Sequence, residues 1–204
     1  MIIQLVDRSE DMCDAWTTAF IDRDGKPCDD VTIYCDDFFA PDTDCIVSPA
    51  NSFGFMGGGL DGVITRRLGT QVQQNVQNRI KQTNIGELLV GQAILVPTEN
   101  TQIPFCISAP TMRVSMSIEG TNNVYLAAKA IFSELKAIQD NLSAPNINSV
   151  TISGLGTGVG GVPYEVCASQ MRQAYDDVWL SQETFPNSFN EIIRKHNKLI
   201  NDRE

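Results

Sequence analysis

"SPANSFGFMGGGLDGVIT", Ser48 to Thr65, packs five glycines and a single acid, Asp61, between two apolar runs. Three of the glycines are consecutive and stand directly before a stretch of helical pattern. Glycine there loses backbone entropy on folding, so its placement needs a compensating interaction. Glycine-rich backbone entering a helix provides one, because successive N–H groups can converge on an anion. The helix N-terminus adds a positive dipole equivalent to about half a charge.

A second loop of this kind, "GLGTGVGGVP" (Gly154 to Pro163), follows the apolar run "SVTIS" and also leads into a helical pattern. Neither loop ends in Gly-Lys-Ser/Thr, so no Walker loop is present, and the second does not match a dinucleotide-binding fingerprint. Two glycine loops at strand ends predict a site where main-chain amides hold a diphosphate. The net charge of −10 fits that device. An acidic protein is poorly suited to nonspecific nucleic-acid binding, and it holds an anion more readily with dipoles than with cations.

The rest of the chain alternates short β-branched runs with amphipathic segments. "IIQLV", "VTIYC", "DCIVS", "GQAILVP", "PFCISAP" and "INSVTISG" read as strands, with "VTIYC" and "DCIVS" taken as buried. "EDMCDAWTTAFI" carries a helical stripe of Met12, Ala15, Trp16, Ala19 and Phe20. Gly59 to Ile80 reads as helix broken near Gly69. "TNNVYLAAKAIFSELKAIQDNL" has Thr121 or Asn122 as a cap, "PYEVCASQMRQAYDDVWL" has proline in its first turn, and "FNEIIRKHNKLI" closes the chain. This order predicts α/β layers around a mostly parallel or mixed sheet in one domain.

No apolar run approaches the roughly 18–20 residues that span a bilayer. The start, "MIIQLVDRSEDM", lacks the basic and apolar regions of a signal peptide, so a cytoplasmic protein is expected. Cys13, Cys28, Cys35, Cys45, Cys106 and Cys167 are scattered without a C-x-x-C pair and read as reduced, buried thiols. His196 is the only histidine, so neither a zinc site nor a nucleophile–histidine pair is expected.

Taken together these motifs resemble the macro domain, an ADP-ribose-binding module. "DCIVSPAN" is similar to the family's D-A-I-V-N-A-A-N, "GGGLDGVITRRLG" to the G-G-G-V-D-G-x-I of MacroD-type hydrolases, and "GTGVGGVP" to the second loop. "DDFF", Asp36 to Phe39, stands in the place of G-D-I-T. The resemblance implies a three-layer α/β/α fold with a mixed central sheet and an N-terminal strand-helix elaboration. It implies a single domain over 1–204, with a core of about 31–180 and a helical extension over 181–204.

The resemblance also implies roles. Asp37, with the Phe38 amide, would take the adenine amino group, and Asn51 would reach the distal ribose. Gly57, Gly58, Gly59 and Leu60 would line the first phosphate loop. Gly156, Thr157, Gly158, Val159, Gly160 and Gly161 would line the second. Asp61 would hold or deprotonate a water, with Asn51 orienting the sugar. No metal or cofactor is implied, and the partner would be ADP-ribose or an ADP-ribosylated substrate, with no membrane.

Plainer readings stand beside these: Asp61 as an acid favoured by the helix dipole, and Asp37 and Asn51 as turn formers. Arg66 and Arg67 read as solvated charges. The chain departs from the family pattern at Ser48, Pro49, the "APTMRV" segment and Gly160, where active hydrolases carry Tyr or Phe. Two functions follow as expectations. One is a hydrolase that removes an ester-linked group from the distal ribose; the other is a non-catalytic reader of ADP-ribose. A degenerate fold serving as a protein-interaction surface is the third.

Overall fold

The computed structural model describes residues 1–200; the last four residues of the predicted C-terminal extension lie outside the described residues. In chain order the elements are β1 (Ile2–Asp7), α1 (Glu10–Ala19), β2 (Val31–Cys35), β3 (Cys45–Ser48), α2 (Gly59–Leu68) and α3 (Gln71–Lys81). They continue with β4 (Ile94–Pro97), β5 (Phe105–Ser108), α4 (Asn123–Asp140), β6 (Ser149–Ile152), α5 (Tyr164–Ala174) and α6 (Phe189–Ile200).

The strands form one sheet in the order β2-β1-β6-β3-β5-β4, parallel throughout except for β4, which runs antiparallel to β5. The N-terminal strand is therefore not peripheral. It lies between β2 and β6, with Leu5 opposite both Ile33 and Ile152.

Both faces of the sheet are apolar, and the two-residue period sorts them. Leu5, Val47 and Ile107 face one way, packing with Met12, Trp16, Phe132 and Tyr175 from α1, α4 and the end of α5. Val6, Ile46 and Cys106 face the other way, packing with Ile64, Val72, Val76 and Ile80 from α2 and α3. The result is the three-layer α/β/α arrangement with a mixed sheet that the sequence implied.

Two local expectations change. β2, read as a buried strand, is a half-exposed edge, because β1 is its only strand neighbour. The predicted final helix turn after Ala174 widens into a π-helical turn, Tyr175–Trp179. There the Leu180 N–H reaches the Tyr175 carbonyl at 3.0 Å. This turn aims two donors at one carboxylate: the Tyr175 hydroxyl donates to Asp30 at 2.6 Å, and the Trp179 indole N–H donates to its other oxygen. Gly69, at φ +95°, makes the break between α2 and α3 where it was expected. All six cysteines are free thiols; five are buried, and Cys35, at the end of the edge strand, is exposed.

Candidate functional site

Five parallel strands deliver their carboxyl ends to one edge of the sheet, and a cleft of about 450 Å³ opens there. Each of these strands contributes. β1 supplies Asp7 and Arg8, β2 is followed by Asp37 and Phe38, and β5 is followed by Thr111, Met112 and Ser115. The loop after β3 supplies Asn51, Phe55 and Gly58 to Asp61, and the loop after β6 supplies Gly154 and Gly156 to Gly160. Of the residues assigned to the site from sequence, Gly57 and Gly161 do not line the cleft; the others do.

The first loop is held by side chains. The Asn51 carboxamide donates to the Phe55 carbonyl at 2.8 Å and accepts from the N–H groups of Phe53 and Phe55 at 3.1 and 3.3 Å. Asn51 thus behaves as the turn former of the plainer reading, while it still lines the cleft and the second N–H of its carboxamide bonds to no protein atom among the described residues. The Met56 N–H donates to Gln73 Oε1 at 2.8 Å, and the Thr65 hydroxyl donates to the Met56 carbonyl at 3.0 Å. Beyond Met56 the chain turns through Gly58, extended at φ −137°, and Gly59, at φ +54°, into α2.

The second loop is held by its own backbone. Val162 N–H donates to the Gly156 carbonyl and Gly161 N–H to the Gly158 carbonyl, both at 3.1 Å. The Gly161 amide is therefore spent inside the loop, which corrects its expected role as a phosphate donor. Gly156 sits at φ +73°, and a Cβ on it would lie 2.8 Å from Ile118 Cδ1. At Gly160 a Cβ would collide with the Gly156 carbonyl oxygen and lie 2.8 Å from Ile118 Cγ1. That position points into packed protein, so its lack of an aromatic side chain has a local steric cause.

Both loops leave main-chain donors free. Among the described residues, the N–H groups of Gly58, Gly59 and Leu60 donate to no protein acceptor, nor do those from Gly156 to Gly160. The former are the unpaired donors of a helix start; Gly58 and Gly59, like Gly158 and Val159, are exposed, so their N–H groups are open to an incoming anion.

Asp61 lies in the first turn of α2, and its carboxylate accepts from the Ser48 hydroxyl at 2.6 Å. Ser48 is fully buried at the end of β3. Burial pushes the Asp61 carboxyl up to about 6, while the Ser48 bond pulls the other way. An acid of that value changes protonation near neutral pH, which suits acid–base work better than an ordinary aspartate. Sequence reading had noted Ser48 only as a departure from asparagine; its pairing with Asp61 needs the third dimension.

At the opposite end Asp37 is half-buried and accepts from the Phe39 N–H at 2.9 Å and from the Arg8 guanidinium. These bonds, the Phe39 amide first, hold its carboxyl below the usual range. Arg8 is the only cation lining the cleft among the described residues and was missed from sequence. The signal for it was available: β1 ends at the same edge as the glycine loops, so "VDRS" belongs to the site. Asp7 joins the two, accepting from the Ser9 N–H at 3.0 Å and the Gly154 N–H at 3.4 Å. Arg66 and Arg67 are exposed on α2, and the Arg67 guanidinium lies 5.9 Å from the Phe39 ring centre. No cluster of metal ligands occurs among the described residues.

The sequence model of the Macro domain family matches residues 47–171. An uncharacterized protein of Aquifex aeolicus is 34% identical over 130 residues, covering 64% of this chain and 71% of that one. The macrodomain of Mycobacterium tuberculosis DarG superposes with a TM-score of 0.57 at 21% identity, covering 70% of this chain and 87% of its own. A variant of the Oceanobacillus iheyensis macrodomain solved with ADPR gives a TM-score of 0.54 at 19% identity, covering 79% and 88%. The glycine loops, the strand order and the family match converge: this chain belongs to the Macro domain family.

Proposed function

We propose that the cleft binds ADP-ribose and that the protein hydrolyses an ester-linked group from its distal ribose. The observation that carries this reading is the pair of glycine loops facing one cleft with free main-chain donors, beside a carboxyl poised near 6. Amides of Gly58, Gly59 and Leu60 on one side, and of Gly156 to Gly160 on the other, would take the diphosphate. Asp37 would accept from the adenine amino group, exchanging or sharing its bond with Arg8, with the Phe38 amide beside it. The Oceanobacillus neighbour solved with ADPR supports the ligand.

Asp61, held by Ser48, would orient a water and take its proton as it attacks the ester carbonyl. The bond from that carbon to the ribose oxygen would then break, the proton would pass from Asp61 to the departing ribose oxygen, and the acid would be released. The loop amides would steady the developing charge. The test is turnover of O-acetyl-ADP-ribose and of carboxyl-linked ADP-ribosylated protein, with Asp61→Ala alongside. The expected result is turnover by the wild type, at least a hundredfold loss in the variant (~10²), and retained ADP-ribose binding.

A second reading, a non-catalytic reader of ADP-ribose, is favoured by one observation. The Asn51 carboxamide, expected to orient the sugar, spends its oxygen and one N–H on the Phe53 and Phe55 main chain, leaving a single N–H for a ligand. Tight ADP-ribose binding with no turnover of either ester would select it.

A further inference from the structure

Phe55 projects from the first loop at the cleft wall with 64% of its surface exposed. An aromatic ring left in water forgoes the burial that usually justifies it. Its main chain is nevertheless fixed on both sides. Asn51 bonds the Phe55 N–H and carbonyl, and the next residue, Met56, is fully buried and bonded to Gln73. Among the described residues no other ring and no cation stacks on Phe55, whereas its neighbour Phe53 lies 5.0 Å from the Arg113 guanidinium. A rigid mount with an uncovered ring is the arrangement of a recognition surface, because little conformational entropy is lost when a ligand covers it.

The facing loop cannot supply such a surface. Its glycine at 160 is closed against Gly156 and Ile118, and its largest cleft-lining side chain is Val159. We propose that Phe55 covers the distal ribose of the bound nucleotide, with the ring face against the apolar C–H face of the sugar. Phe55 thereby makes the site select a nucleotide carrying a second sugar. This inference rests on the ADP-ribose reading. It assigns to Asn51 an indirect part as the residue that positions the ring.

The experiment compares ADP-ribose with ADP, which lacks the second ribose, by calorimetry on the wild type, Phe55→Ala and Phe55→Tyr. The expected result is that Phe55→Ala weakens ADP-ribose binding about tenfold. ADP binding stays unchanged, Phe55→Tyr restores ADP-ribose binding, and the melting temperature does not move. Unchanged ADP-ribose binding in Phe55→Ala overturns the inference, as does an equal loss for both nucleotides, while the ADP-ribose reading survives. A wild-type protein that binds neither nucleotide overturns both.

Discussion

The two glycine loops face each other across one cleft, yet the triple glycine of the first and the packed glycines of the second serve opposite ends. In the first loop, Cβ atoms added at Gly57, Gly58 or Gly59 would meet nothing within 4 Å, and the loop is tied down by Asn51, Gln73 and Thr65. In the second, Cβ atoms at Gly154, Gly156 and Gly160 would all press on neighbouring atoms. There the backbone itself fills the space. The triple glycine at 57–59 keeps room for something outside the protein; Gly154, Gly156 and Gly160 keep room for the protein, and of the second loop only Gly158 is as open as the triple glycine.

The sharpest break of this contrast is Gly160→Ala. The methyl collides with backbone, which cannot swing aside, so a loss of about 3 kcal/mol is expected. For a domain of this size that is a fall in melting temperature of roughly 6–12 °C, read by thermal denaturation. A melting temperature within a degree of wild type removes the packing account of the second loop.

A smaller effect is expected at the acid beside the first loop. The Asp61 carboxyl titrates at about 6 in the folded chain against an ordinary 3.8. The folded state therefore holds its proton more tightly, and this stabilisation is present below about 4 and lost as pH rises through about 6. Asp61→Asn escapes the loss. At pH 7.5 it should stabilise the fold by about 2 kcal/mol, less than the full shift because the carboxyl is partly exposed. Below pH 4 the advantage should vanish. An equal gain at both pH values would assign the effect to something other than this ionisation.

The smallest change in stability belongs to Gly58→Ala. Its extended φ suits alanine and its surroundings are open, so denaturation should move by only about 0.5–1 kcal/mol, the cost of alanine for glycine at the N-cap of α2. The methyl would occupy cleft space, so ADP-ribose affinity should still fall about tenfold. Stability lost without affinity would reverse the roles assigned to the two loops.

Much of this was legible in one dimension. Glycine runs, proline stops and two-residue alternation are local signals, and they located six strands, the break at Gly69 and the acid at 61. What escaped depends on which strands become neighbours. "VTIYC" has the composition of a buried strand, and only its place at the sheet edge exposes it. Arg8 and Asp37 are 29 residues apart, and Ser48 and Asp61 are 13 apart. No local pattern marks either pair as bonded. Asn51 shows a different limit: the same carboxamide can serve a sugar or a turn, and sequence spacing does not choose between them.

The segment after β5 has a further consequence. It bridges to the first loop where Met112 pairs with Asn51 in a single parallel bridge, and to the second where the Ile118 N–H donates to the Gly160 carbonyl at 2.8 Å. It works as a strut, fixing the gap between the two jaws before any guest arrives. Capture should then proceed with little reshaping of the host, so differences in affinity among nucleotides should show in how slowly each departs rather than in how fast it arrives.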